Sequence, residues 1–123
     1  LHTSSAAKTI DRIIDVFPAG QKDQIRSMLS ESLIAVVAQK LLVNKSRDGR
    51  IPVCEIMIAN TAIKNLIRED KIYQILTIIQ SGSKEGMQSL DMDLQRLLKT
   101  GLINRNQAAE VAHTPELFEN AIL

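Results

Sequence analysis

Ile51-Pro52-Val53-Cys54-Glu55-Ile56-Met57-Ile58-Ala59 is the stretch on which the fold turns. Its branched side chains suit a pleated, half-buried backbone, so it reads as a strand. Just before it stands Asn44-Lys45-Ser46-Arg47-Asp48-Gly49-Arg50. Asp48-Gly49 is a turn dipeptide, because glycine accepts a positive φ without steric cost. Residues 39–43 are apolar enough to form the partner strand, which predicts a β-hairpin with a basic tip at Lys45, Arg47 and Arg50. Pro52 has no N–H to donate and belongs near a strand start or on an edge. A two-stranded hairpin is marginal by itself. It therefore needs helices over it or further strands beside it.

The rest of the chain reads as helix. Upstream, Ile10, Ile13, Ile14 and Phe17 repeat at helical spacing within residues 5–17, with Ser4 or Ser5 as the cap and Pro18 and Gly20 as the interruption. Residues 20–38 are expected to form a second helix, on which Ile25, Met28, Leu29, Leu33, Val36 and Val37 share a face. Its end, Leu33 to Ala38, is apolar nearly all round and should be buried on more than one side. Downstream, residues 61–69 and 71–80 give two short amphipathic helices, and Gly82 and Gly86 bracket a loop. Leu90, Leu94, Leu97 and Leu98 mark a helix closed by Gly101. Asn104 with Gln107 makes a capping box for a helix to about Ala112, and Thr114-Pro115 opens a last one. The expected fold class is α+β and mainly helical, with about seven helices and one hairpin, in one unit over residues 1–123.

Composition narrows the function. The chain has 123 residues, 45% hydrophobic and 24% charged, which is globular rather than disordered. Lys plus Arg total 15 against 14 for Asp plus Glu, so the basic excess of a nucleic-acid surface is missing. Aromatics are 2%, too few for base-stacking platforms. The lone Cys54 excludes a disulfide within the chain and a multi-thiolate zinc site. No apolar run approaches the ~20 residues of a membrane span. The sequence contains no glycine-rich loop ending in Gly-Lys-Ser or Gly-Lys-Thr, no HExxH and no GxSxG.

Single residues raise narrower questions. Glu55 is the only charge in an apolar strand, and a buried carboxylate needs a partner; Arg50 or another base is expected to supply it in a structural role. Cys54 reads as a small core residue. The Lys45, Arg47 and Arg50 tip reads as a solvated loop, with a subunit contact or anionic lipid as alternatives. His113, between helices and beside a Thr cap, is expected at the surface.

Longer strings are more specific. Leu1-His2-Thr3-Ser4-Ser5-Ala6, running into Thr9-Ile10-Asp11-Arg12-Ile13-Ile14-Asp15-Val16-Phe17-Pro18, resembles the His box and following segment of the secretion ATPase superfamily, in its pilus-retraction, PilT-like branch. Ala62-Ile63-Lys64-Asn65-Leu66-Ile67-Arg68-Glu69 resembles that branch's AIRNLIRE retraction motif. Gly86-Met87-Gln88-Ser89-Leu90-Asp91 resembles the GMQTMD-like segment that follows it. Order and spacing agree from Leu1 to about Gly101. Two positions depart from the pattern: Ser4 replaces the usual Asn of the His box, and Lys64 replaces an Arg, keeping its charge and losing its planar fork of donors. Relatives that extend pili or drive type II secretion often carry a four-cysteine zinc insertion, which one cysteine cannot build.

The resemblance implies the C-terminal portion of a RecA-like P-loop ATPase domain, starting at the His box and lacking Walker A and Walker B. It implies a parent that binds ATP and Mg²⁺, works as a homohexamer and retracts type IV pili in twitching motility. That parent would sit in the cytoplasm, peripheral to the inner membrane, and act through a pilus platform protein there. His2 and Thr3 would sense nucleotide, and Ala62 to Glu69 would serve retraction. No catalytic or metal-binding residue is expected in this chain, and without a phosphate cradle it should not hydrolyse ATP alone. The alternatives are a stand-alone helical interaction module and a pilus-extension or type II secretion ATPase.

Overall fold

The structure, a computed structural model, describes residues 3–119 apart from Lys45 and Arg47. Its elements run α1 (Ala6–Asp15), a 3₁₀ turn (Ala19–Gln21), α2 (Lys22–Ser32), β1 (Ala35–Val43), β2 (Arg50–Ile58), α3 (Thr61–Arg68), a 3₁₀ turn (Ile72–Gln74), α4 (Ile75–Gln80), a 3₁₀ turn (Ser83–Glu85), α5 (Leu90–Lys99), α6 (Arg105–Val111) and α7 (Glu116–Glu119). The described residues thus hold seven α-helices and one antiparallel hairpin, the fold class read from the sequence.

Helix starts follow local polar chemistry. Ser5 accepts from Lys8 N, Asn60 from Ile63 N, Ser89 from Met92 N and Asn104 from Gln107 N, each satisfying an amide the helix leaves free. Gly101, at φ 77°, takes the left-handed conformation after α5.

Two boundaries differ from the sequence reading. Leu33 to Ala38 does not extend α2. The helix stops at Ser32, Leu33 turns to extended backbone (φ −71°, ψ 131°), and β1 begins at Ala35. The 3.6-residue spacing of Leu33, Val36 and Val37 was coincidental. Apolar residues stand on both faces of this strand, which erases the alternation that would mark it. The branched run Ile34, Val36 and Val37 was the better guide. The expected helix over 71–80 begins as 3₁₀ and becomes α only at Ile75.

The hairpin divides the interior. Side chains alternate along β2, so Val53, Glu55 and Met57 share its inner face. Met57 joins Ile10, Ile14, Ile63, Ile67, Ile75 and Ile79 from α1, α3 and α4 in one apolar core. Val53 and Leu42 join Leu90, Leu94, Leu97, Ile103 and Phe118 in another. Glu55, 1% exposed, lies between them.

The two strand edges are unlike. Along β2, Ile56 exchanges backbone hydrogen bonds with Gln88 (2.8 and 3.1 Å). Cys54 donates its N–H to the Asp93 carboxylate (2.9 Å) and accepts from Gln88 Nε2 (2.8 Å). The outer edge of β2 is therefore sealed at Cys54 and Ile56. β1 pairs with β2 alone among the described residues. Its outer face is also bare: Val37 is 62% exposed, Leu41 48% and Val43 47%.

Candidate functional site

The first candidate lies at the start of α1. His2 falls outside the described residues. Thr3 Oγ1 accepts the Ser5 N–H (3.1 Å) and lies 3.3 Å from the Ser5 carbonyl, closing a tight turn into the helix. Thr3, Ser4, Lys8 and Arg12 face Gln39 and Lys40 of β1 across an open cleft of about 750 Å³. Its hydroxyl and cationic donors suit an anionic oxygen.

The second candidate, Ala62 to Glu69, forms α3 and the residue that caps it. Ile63 and Ile67 are buried, Leu66 is half-buried, and Ala62, Asn65, Arg68 and Glu69 are exposed. Lys64 is half-buried and makes no ion pair among the described residues. Arg68 donates to the Asn65 side chain. The chain leaves α3 through Asp70 at φ 60°, where the guanidinium of Arg26 on α2 stands 3.3 Å from its carboxylate. No residue of α3 lines the Thr3 cleft. The two candidates are therefore separate surfaces of one domain.

A third centre was not singled out from the sequence as a site. Glu55 accepts from Ala6 N (2.8 Å), the first residue of α1, and from Leu90 N (3.1 Å), the first of α5. Its Oε1 also meets His113 Nε2 at 3.0 Å. The partner of Glu55 is thus His113, not Arg50. Residues five apart on a strand point to opposite faces, so Arg50 could not reach it. His113, expected at the surface, has only 20% of its side chain exposed. Its backbone N–H and that of Thr114 both donate to Asp91 (2.7 and 2.9 Å). Cys54, expected in the core, is only half-buried, on the other face of β2. Burial, followed by the charge of Asp93, raises its thiol pKa.

The electrostatics of the pair follow from its contacts. Burial alone would raise the Glu55 carboxyl, but hydrogen bonds from His113, Ala6 and Leu90, with the imidazolium charge, bring it below its ordinary 4.5. The hydrogen bond to Glu55 raises His113 above 6.5 despite opposing burial, and the charges of Glu55 and Asp91 add to the rise. A histidine whose folded pKa is raised contributes stability that is complete below its unfolded value and lost as pH rises through the folded one. The lowered Glu55 contributes stability present above 4.5 and lost as pH falls through its folded value. Stability from this pair should therefore be greatest between about pH 4.5 and 6.5 and decline above. Urea midpoints at about pH 5.5 and 8.5 check this: the wild type should lose stability at the higher pH, and His113→Gln should lose less.

Comparison with known proteins places this geometry. No family model matches the chain. It is 56% identical over 118 residues, 96% of its length, to the type IV pilus retraction ATPase PilT of Pseudomonas aeruginosa. The chain is PilT-like along nearly its whole length. A twitching motility protein of Neisseria gonorrhoeae is 53% identical over 94% of the PilT-like chain. The crystal structure of the pilus retraction motor PilT with bound ADP superposes on 97% of it with a TM-score of 0.83 at 39% identity. The Legionella pneumophila ATPase DotB, at 17% identity and a TM-score of 0.71, shares the fold. The PilT-like chain spans about a third of the length of these relatives: 34% of the Pseudomonas protein and 31% of the Neisseria one.

His113 and Asp93 carried no local sign in the sequence of this PilT-like chain. Gln88 and Asp91 did, since both belong to the Gly86 to Asp91 string. Their structural work is now visible: Gln88 seals the edge of β2, and Asp91 anchors the connection between α6 and α7.

Proposed function

We propose that residues 1–123 are the C-terminal part of a hexameric motor ATPase that retracts type IV pili, beginning at its His box. The alignment of 96% of this chain with 34% of the Pseudomonas retraction ATPase supports this reading. In it, the parent works at the cytoplasmic face of the inner membrane and pulls through a platform protein there. Among the described residues no helix is long and apolar enough to cross a membrane, and no group of three His, Cys, Asp or Glu is placed for a metal.

The chemistry ATP brings when bound is cleavage of its terminal phosphoanhydride. The donors of the Thr3 cleft fit an anionic group, but the sequence has no phosphate loop. Cradle and Mg²⁺ site therefore fall to the rest of the parent. Within this chain, Thr3 and His2 report the state of the terminal phosphate. Lys8 and Arg12 supply positive potential beside Thr3. Ala62 to Glu69 presents its polar face to another part of the motor or to a neighbouring subunit, and passes that state on.

The purified parent should hydrolyse ATP as a hexamer, and the 123-residue chain should hydrolyse none. A cell lacking the parent should extend pili without retracting them. Hydrolysis by the isolated chain, or loss of extension rather than retraction, would overturn the reading.

A further inference from the structure

Glu55 ties the beginning of α1 to His113, which lies 58 positions beyond Glu55 itself. Its carboxylate spans Ala6 N, Leu90 N and His113 Nε2 within 3.1 Å, so three elements meet on one side chain. Ala6 lies three residues after Thr3, and the Thr3–Ser5 turn joins them. His113 is fixed from behind by Asp91, which holds its backbone N–H. Beside the pair lies a cavity of about 490 Å³ lined by Ser4, Ser5, Lys8, Tyr73 and Ala112 as well as Glu55 and His113. A shift of the Glu55 carboxylate therefore has room to move the turn.

We infer that Glu55 and His113 are a positioning couple that sets the placement of Thr3 to Ala6, and with it the nucleotide response of the parent. This rests on the motor reading for the role of Thr3. Neither residue touches the reacting atoms; both act through the turn. When His113 is protonated, it draws one carboxylate oxygen and leaves the other to Ala6 N. When it loses its proton, the ring can still donate one hydrogen bond but no longer carries the charge that orients the carboxylate. The ionisable groups around His113 are Glu55 on β2, Asp91 on α5, Lys8 on α1 and Tyr73 on the 3₁₀ turn. Asp91 and Glu55 favour its protonated form and Lys8 opposes it.

Two measurements test the couple. In the 123-residue chain, NMR titration should show the Ala6, Ser5 and Leu90 amides moving with the His113 ring midpoint. His113→Gln keeps a donor toward Glu55 and should abolish that inflection while preserving a folded spectrum. In the parent, kcat for ATP should follow the same midpoint, and His113→Gln should flatten the profile. Displacement of a group that acts at the reacting phosphate should lower kcat by on the order of tenfold and leave KM nearly unchanged. Glu55→Gln should lower the His113 midpoint, and where that variant unfolds, His113→Gln decides alone. A flat Ala6 amide across the His113 titration would overturn the inference. So would equal kcat values for wild type and His113→Gln on both sides of the midpoint. A wild-type parent that hydrolyses no ATP would overturn the motor reading and the kinetic role together, while the coupling of the Ala6 amide to His113 would stand or fall on the NMR titration by itself.

Discussion

Glu55→Ala is expected to cost about 3–5 kcal/mol of folding stability, the penalty of breaking a buried charged pair from one side. The side chain is 1% exposed, so water does not replace what it held. Truncation leaves the Ala6 and Leu90 amides without acceptors and His113 without its carboxylate. Each orphaned buried donor costs ~1–3 kcal/mol, with some relief where water enters the space left behind. A domain of this size has a total of roughly 5–15 kcal/mol, so the variant should sit close to unfolding at ambient temperature. Glu55→Gln should fall between, because an amide keeps one acceptor oxygen and turns N–H groups toward donors. Urea denaturation followed by circular dichroism reads the loss. Glu31→Ala, at an exposed carboxylate, should stay within ~0.5 kcal/mol of wild type. A loss below about 1 kcal/mol for Glu55→Ala would show that the carboxylate is not the tie between the two cores.

Lys64→Ala and Arg68→Ala should abolish pilus retraction in cells carrying the parent and leave folding intact. Both side chains leave the polar side of α3, while Ile63 and Ile67 hold its other side in the core. Alanine is a better helix former than either cation, so α3 is not weakened from within. Arg68 loses one exposed bond to Asn65, and Lys64 loses none that the described residues provide. Stability changes should remain within ~0.5 kcal/mol. A drop in retraction would then report a lost contact with another part of the motor. Lys64→Arg should retain retraction, since it keeps the charge and adds donors. Twitching zones and single-pilus traction are the readouts, and normal retraction in both alanine variants would remove α3 from the mechanism.

Local chemistry was legible in the sequence where it is local in the structure. Ser5 and Asn104 could be read as caps because a cap acts within three residues. The leucines of α5 and the isoleucines of α3 could be read because one helix face repeats. Leu33 to Ala38 was not legible, because a strand apolar on both faces has no period to detect. Glu55 was legible as a buried charge in need of a partner, but its partner was not. His113 comes to it through the packing of α5, α6 and α7, and nothing near either residue encodes that distance. Of the site, the His-box and α3 strings could be quoted from the sequence; the tie between the start of α1 and the far end of the chain required coordinates.

The unequal edges of the hairpin give the sheet a direction of growth. A strand approaching β2 finds the amides and carbonyls of Cys54 and Ile56 already committed to Gln88 and Asp93. A strand approaching β1 finds, among the described residues, a ladder free from Ala35 to Leu41 beside the exposed Val37 and Leu41, with the Val43 carbonyl already held by Gln107 Nε2. Extension can thus proceed from one side only, and the order of strands in any larger sheet built on this hairpin is decided before the next strand arrives. The same asymmetry makes the 123-residue chain adhesive along a single line, so self-association through the sheet would stop at a β1-to-β1 pair instead of propagating as a fibre.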